Sequence, residues 1–436
     1  MNCPDTRRAF LKTGAAAVSS FLLSGLNCSA EKKSLRRPNI VFILADDVGC
    51  EVPGSYGGET YQTPSLDALA RTGIRFTHCY SSPVCAPSRV KLLTGKYGFR
   101  NYIGWGEIKE SEQTFAHILQ QAGYKTAIAG KWQMVLQKDD PDHIRKMGFD
   151  ESCVFGWHEG PRYHGPFIYE NGKPRQEPDD QYGPDIFCKF ITDFIERNQD
   201  SLFLAYYSMC PAHEISNDLP VPPPTGPDGR YQSYRELVET MDTLIGRVVK
   251  TLEDLNLHEK TLILFTGDNG TPPAFITRYE NGEYIKEPVH SIVKGELVIG
   301  GKGQLTDAGT HVPLIANWPG TTPAGWICSD LVDFSDFLPT FADLADMALP
   351  KDSTIDGISF LPQIMGEKND NPRTWSYCQH DGHAWVRNQR FKLYRDGRLY
   401  DLVQDPLEQS PIQPDTPESK KAAADLENVF THLGRN

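Results

Sequence analysis

Two short stretches limit what this 436-residue chain can fold into. Asn39-Ile40-Val41-Phe42-Ile43-Leu44-Ala45 is apolar after its first residue and stops at Asp46-Asp47. Thr261-Leu262-Ile263-Leu264-Phe265-Thr266 stops at Gly267-Asp268-Asn269-Gly270. Neither run alternates apolar with polar residues. Each therefore predicts a strand buried on both faces, as in a parallel sheet with helices on either side. Lys125–Gly130, Leu202–Ser208 and Val312–Trp318 predict further strands. Tyr234–Leu255 carries Leu237, Met241, Leu244, Val248, Leu252 and Leu255, the spacing of one apolar face on a long helix. Shorter helices are predicted over Leu66–Thr72, Thr114–Ala122 and Leu331–Met347. Strands alternating with helices give an α/β fold with a large, mainly parallel sheet. Such a sheet binds ligands at the carboxyl ends of its strands, where both acidic sets lie.

After about Pro350 the pattern changes. Trp375–Tyr377, Ala384–Val386, Phe391–Tyr394 and Leu399–Leu402 are short apolar pieces between polar turns, and predict a small antiparallel C-terminal α+β subdomain. The expected division is an N-terminal signal over 1–30, a catalytic domain over 31–349 and the subdomain over 350–436. The first segment contains Thr6-Arg7-Arg8-Ala9-Phe10-Leu11-Lys12 and then an apolar run too short to span a bilayer. That order matches a twin-arginine export signal, cleaved after Ala30, for a periplasmic or secreted protein. Gly25-Leu26-Asn27 before Cys28 is a poor lipoprotein signal, so no lipid anchor is expected there.

The formal net charge is −13, and the signal segment's net +2 taken from it leaves about −15 for the remainder. Nucleic acid is a poor partner for such a surface, and none is expected. An anionic small substrate would need a local cluster of cations and a metal. Of ten cysteines, eight lie after the signal, and no Cys-x-x-Cys pair occurs, which argues against structural zinc. A route that carries folded proteins also argues against a fold that depends on disulfides.

The two acidic sets offer hard oxygen donors, Asp46, Asp47, Asp268 and Asn269, suited to Ca²⁺ or Mg²⁺. Cys85-Ala86-Pro87-Ser88-Arg89 opens a predicted helix, and a helix start with a fixed cation favours an anion. Cys85 at such a site is either a thiolate nucleophile or a buried packing residue on this motif alone.

The motif does not stand alone. Cys85-Ala86-Pro87-Ser88-Arg89 with Leu92-Leu93-Thr94-Gly95, Asn39–Asp47, Gly123–Thr126 with Gly130-Lys131-Trp132, Thr266–Gly270, and Lys302 with Val312–Ile315 together resemble the formylglycine-dependent type I sulfatases of the alkaline phosphatase superfamily. The five blocks span about Pro38 to Pro411. The resemblance implies that a maturation enzyme oxidises Cys85 to formylglycine. Asp46, Asp47, Asp268, Asn269 and the modified residue 85 would bind one divalent ion, Ca²⁺ by preference over Mg²⁺. One hydroxyl of the hydrated aldehyde would attack sulfur, the alcohol would leave, and the second hydroxyl would expel sulfate. Arg89 and Lys131 would hold residue 85. Lys302 and His213 would contact the sulfate and the leaving oxygen, one of them giving the proton. Many family members have histidine where this chain has Gln133. Glutamine can bind the diol but cannot take its proton.

The expected activity is thus hydrolysis of O-sulfate esters on a sulfated small molecule or glycan, with Trp105 and Trp157 as candidate sugar-stacking residues. A phosphoester or phosphonate hydrolase of the same superfamily, a non-catalytic glycan-binding protein and a cysteine hydrolase are the rivals. His311 is expected to be structural, and His78, His158, His164 and His290 are weaker pocket candidates.

Overall fold

A computed structural model describes residues 37–350 and 354–434. The expected signal over 1–30, including Arg7, Arg8, Cys3 and Cys28, lies outside them. Ten strands form the main sheet: β1 Asn39–Ala45, β2 Ile74–Tyr80, β3 Lys125–Gly130, β4 Glu151–Phe155, β5 Phe167–Glu170, β6 Lys173–Gln176, β7 Phe203–Ser208, β8 Thr261–Gly267, β9 His311–Asn317 and β10 Trp326–Asp333. Their spatial order is β10-β2-β9-β8-β1-β7-β3-β4-β5-β6. Only β9 and β5 run against the rest.

The non-alternating runs are explained by the packing. Ile40, Phe42 and Leu44 face one apolar layer, and Val41, Ile43 and Ala45 face the other. Phe42 stacks between Tyr206 and Phe337, each at 5.2 Å. The Gly183–Arg197 and Tyr234–Asp254 helices cover one face, and the Phe115–Gln121 and Phe337–Leu344 helices cover the other. Each fully buried aliphatic or aromatic side chain contributes about 1.5–3 kcal/mol. The Tyr234–Asp254 helix starts at a capping box: Ser233 accepts from the Glu236 amide, and Glu236 accepts from the Ser233 amide at 2.7 Å.

One expectation needs correction. Leu331–Asp333 is the end of strand β10, and the helix begins only at Phe337 after a short 3-10 turn. The Leu331, Val332 and Phe334 side chains suit either element. Asp333 decides it by capping the turn through the Ser335 amide at 2.9 Å.

Beyond the main sheet, β11 Ser376–His380, β12 His383–Arg387, β13 Phe391–Tyr394 and β14 Leu399–Asp401 form the expected antiparallel sheet, backed by the Pro417–Leu433 helix. Lys91 joins it to the main body. Its ammonium meets Asp333 at 2.8 Å and the Tyr377 carbonyl at 3.1 Å, and Ser376 donates to the same carboxylate at 2.6 Å. The eight described cysteines are all unpaired. No helix among the described residues is long and apolar enough to cross a membrane.

Candidate active site

Strands β1 and β8 are parallel neighbours, with Ala45 opposite Gly267. Asp46-Asp47 and Asp268-Asn269 therefore leave the sheet at the same level. All four side chains are fully buried. Strand β7 lies on the other side of β1, and β3 beyond it, with Gly130 opposite Ser208. Gly130 has φ +102, and a Cβ there would sit 2.0 Å from the Ser208 carbonyl, so glycine is required. That close approach delivers Lys131 to the acids.

The Cys85–Thr94 helix explains the local motif. Cys85 is its first residue, and Pro87 falls in the first turn, where no helical hydrogen bond is lost. Ser88 Oγ accepts from the Ser82 amide and donates to the Ser82 carbonyl, both at 3.0 Å, tying down the preceding loop. Arg89 reaches across to Asp268, with Nε and Nη2 on one carboxylate oxygen at 3.0 and 2.8 Å. Ser208 Oγ accepts from Arg89 Nη1 at 2.5 Å.

Lys131 Nζ binds both oxygens of Asp46 at 2.8 and 2.7 Å. Lys302 Nζ binds Asp47 Oδ2 at 2.6 Å. Asn269 Nδ2 donates to Asp47 Oδ1 at 2.8 Å, and its Oδ1 is buried with no donor. Asp47 itself adopts φ +64, a conformation that costs a non-glycine residue about 1 kcal/mol or more. Tyr234 holds it there by donating its hydroxyl to the Asp47 carbonyl at 2.8 Å. Cys85 Sγ and one oxygen each of Asp46 and Asp268 lie within 4.8 Å of one another, as do ligand atoms of Asp46, Asp47 and His213.

Burial, with the Asp46 charge beside it, pushes Asp268 up to about 7. Burial acts in the same direction on Asp46, but Lys131, His213, Arg89 and Lys302 outweigh it and hold that carboxyl below its usual range. Three crowded carboxylates and an amide oxygen without a donor call for a cation. Three hard oxygen donors plus Oδ1 suit Ca²⁺ or Mg²⁺, so the residues present fit a divalent ion. Asp46, Asp47 and Asp268 already balance Arg89, Lys131 and Lys302. A divalent ion therefore leaves an excess of two positive charges, which suits a sulfate ester and the doubly charged sulfate it releases. Burial pushes the Cys85 thiol up, which disfavours a thiolate nucleophile.

His213 presents Nε2 at 3.9 Å from Asp47 Oδ2. Its Nδ1 lies 2.7 Å from the Glu214 carbonyl. A carbonyl only accepts, so Nδ1 carries the hydrogen. Gln133 is buried at φ +51, and no hydrogen bond among the described residues ties it to the cluster. His311 donates to the Thr77 carbonyl at 2.9 Å and stacks on Tyr80. His78 stacks near His311, His158 pairs with Asp218 and His164 packs on Tyr182. The His290 carbonyl accepts from Tyr61. Ser208 and Tyr234 escaped the sequence reading. Each is the boundary residue of its element, which was the available signal.

A cleft of about 500 Å³ runs along the other side of the Cys85 helix, past Val84, Pro87 and Lys91, to Tyr102, Trp105 and the turn between β11 and β12. Trp105 is 52% exposed. The neighbouring Gly106 packs so tightly on the Trp157 ring that a Cβ would lie 2.2 Å from it.

The sulfatase family profile matches residues 38–347, and a profile described as N-sulphoglucosamine sulphohydrolase, C-terminal matches residues 295–435. The N-acetylgalactosamine-6-sulfatase of Canis lupus familiaris is 29% identical over 408 residues, covering 83% of this chain and 74% of its own length. A solved protein in complex with its substrate D-glucosamine-2-N,6-O-disulfate has TM-score 0.72 at 24% identity, over 92% of this chain and 99% of its own. The phosphonate monoester hydrolase of Agrobacterium radiobacter has TM-score 0.65 at 17% identity, over 92% and 96%. The fold alone thus does not select sulfur over phosphorus. The family profile covers most of the chain and every member of the acidic cluster, and the chain belongs to the sulfatase family as a sulfuric ester hydrolase on an alkaline-phosphatase-like fold.

Proposed function

We propose that this protein hydrolyses O-sulfate esters of sulfated carbohydrate, using a formylglycine made from Cys85 and a divalent ion, Ca²⁺ by preference, held by Asp46, Asp47, Asp268, Asn269 and residue 85. The observation that carries the reading is the buried, donorless Asn269 Oδ1 within a set of carboxylates that Cys85 also joins. Hydrated formylglycine supplies the oxygen that attacks sulfur and the second hydroxyl by which sulfate is expelled, and the ion supplies charge neutralisation beside it.

The chain's own residues do the rest. Arg89, clamped on Asp268, fixes the helix start that carries residue 85. Lys131 and Lys302, each on an aspartate, form the cationic wall for the sulfate oxygens. His213, fixed through Nδ1–H and kept neutral by burial and the Lys302 charge, turns Nε2 toward the substrate as an acceptor, so Lys302 is the group that gives the leaving oxygen its proton. Gln133 orients residue 85 and moves no proton. Sugar as the leaving group is supported by the exposed Trp105 and adjacent Trp157 and by the sugar named for the relative and in the solved complex. The reading includes twin-arginine export on residues 1–30, a maturation enzyme as partner, a catalytic domain over 31–349 and the subdomain over 350–436.

Peptide mass spectrometry across Cys85 in protein from its native host tests the first step. Conversion to formylglycine lowers the mass by about 18 Da, fixed by the oxidation chemistry. An unmodified thiol in active protein overturns the mechanism. Turnover of 4-nitrophenyl phosphate faster than 4-nitrophenyl sulfate would favour the phosphoester reading instead.

A further inference from the structure

Four arginines among the described residues are more than nine-tenths buried: Arg89, Arg162, Arg373 and Arg387. Three of them are paired with a carboxylate. Arg89 binds Asp268, Arg373 binds Asp336 and Arg387 binds Asp307. Arg162, 6% exposed, makes no ion pair among the described residues. Its one side-chain polar contact is Nη1 at 3.3 Å from His213 Nδ1. That contact is not a hydrogen bond, because Nδ1 already carries the hydrogen donated to the Glu214 carbonyl at 2.7 Å. Two N–H groups face each other there. A buried guanidinium without a counter-charge costs several kcal/mol and is retained only where something offsets it.

The fork is pre-aimed. Phe155 lies under the guanidinium at 4.5 Å and covers one face, so an anion can be met only by the N–H edge. The position is close to the chemistry. One ring nitrogen of His213 is 3.3 Å from Arg162, and the other is 3.9 Å from Asp47 Oδ2, the oxygen that Lys302 holds. The guanidinium and the Asp47 carboxylate thus lie at opposite nitrogens of one histidine ring. The loop that carries it also carries Trp157, which packs against the residue after Trp105.

We propose that Arg162 is a specificity residue that binds a second anionic group, sulfate or carboxylate, on the sugar whose sulfate ester is cleaved. The assignment rests on the sulfatase reading above. The missing counter-charge of Arg162 comes with the substrate, so the enzyme prefers doubly anionic sugars to singly sulfated ones. This preference is local, since the chain as a whole is strongly acidic.

The test uses the mature, metal-loaded full chain and its Arg162→Gln and Arg162→Lys variants. Three sugars compete against 4-nitrophenyl sulfate turnover: glucosamine 6-sulfate, N-sulfoglucosamine 6-sulfate and 2-O-sulfoglucuronic acid. The expected result is a Ki at least tenfold lower for one or both doubly anionic sugars than for the singly sulfated one in the wild type. Which of the two is favoured distinguishes sulfate from carboxylate. Arg162→Gln should bring the ratio to within threefold, and Arg162→Lys, which keeps charge but loses the fork, should give an intermediate ratio. If Arg162→Gln fails to fold, the Lys variant alone decides, and an unchanged ratio overturns the proposal. Equal weakening of all three sugars also overturns it, because Arg162 would then act only through His213. Absence of 4-nitrophenyl sulfate turnover in the wild type counts against the sulfatase reading. Calorimetric binding of the same sugars then gives the ratio and still decides the role of Arg162.

Discussion

Replacing Asn269 with alanine separates the stability of the bare protein from its hold on an ion. The side chain has two opposing effects. Its Nδ2 donates to the Asp47 carboxylate at 2.8 Å, a charge-assisted bond that contributes about 1.5–3 kcal/mol, and to the Gly270 carbonyl at 2.9 Å, which adds about 0.5–1.5 kcal/mol. Its Oδ1 is buried without a donor, which costs about 1–3 kcal/mol. Truncation removes all three, so in EDTA the variant should lie within about 2 kcal/mol of the wild type. With Ca²⁺ the two diverge. Oδ1 then becomes a ligand, and its loss should weaken binding at least about tenfold, or about 1.4 kcal/mol. Calorimetric unfolding in EDTA and across a Ca²⁺ series reads this as a smaller ligand-induced rise in Tm. A variant that is several kcal/mol less stable in EDTA, yet gains the full rise with Ca²⁺, would refute the reasoning. Asn269 would then be a structural hydrogen-bond donor and nothing more.

Other perturbations probe the rest of the frame. Lys91→Met leaves Asp333 buried without its cation and should cost about 3–5 kcal/mol in urea unfolding, with part of the loss recovered in Lys91→Met/Asp333→Asn, which removes the stranded charge and keeps the cap at Ser335. Arg89→Lys keeps the charge but loses the two-pronged grip on Asp268, so kcat on a sulfate ester should fall by about 10²-fold. Burial, followed by the Arg387 charge, lowers His78 to about 4. Its unfolded value is about 6.5, so the unfolded chain binds its proton first and stability falls as pH drops from 6.5 toward 4. His78→Leu should flatten that part of the Tm profile.

Much of the site was legible because its carriers are strand ends. A doubly buried strand leaves no choice about where its next residue emerges, so Asp46-Asp47 and Asp268-Asn269 were placed by the runs before them. The Tyr234 helix was legible from its spacing. The Leu331–Met347 segment was misread because apolar residues there satisfy both periods, and only a cap at Asp333 separates strand from helix. Strand β2, Ile-Arg-Phe-Thr-His-Cys-Tyr, hides because its outward residues are polar, one strand in from the edge of the sheet. The Pro417–Leu433 helix left a signal in Ala422, Leu426 and Phe430, four apart, that the antiparallel strands before it obscured. Arg162 could not have been found from sequence. What distinguishes it is an absent partner, and absence is visible only once the neighbours are in place.

The Cys85–Thr94 helix is buried at every one of its ten positions, and Cys85 is 2% exposed. On the proposed chemistry this sets an order of events. A maturation enzyme cannot reach the thiol once the sheet and the C-terminal strands have closed around it, so conversion and folding are in kinetic competition, and conversion has to finish first. The proposed export by a route that carries folded chains would place that race inside the cytoplasm. A mutation that speeds folding would then lower the yield of active protein while raising its stability.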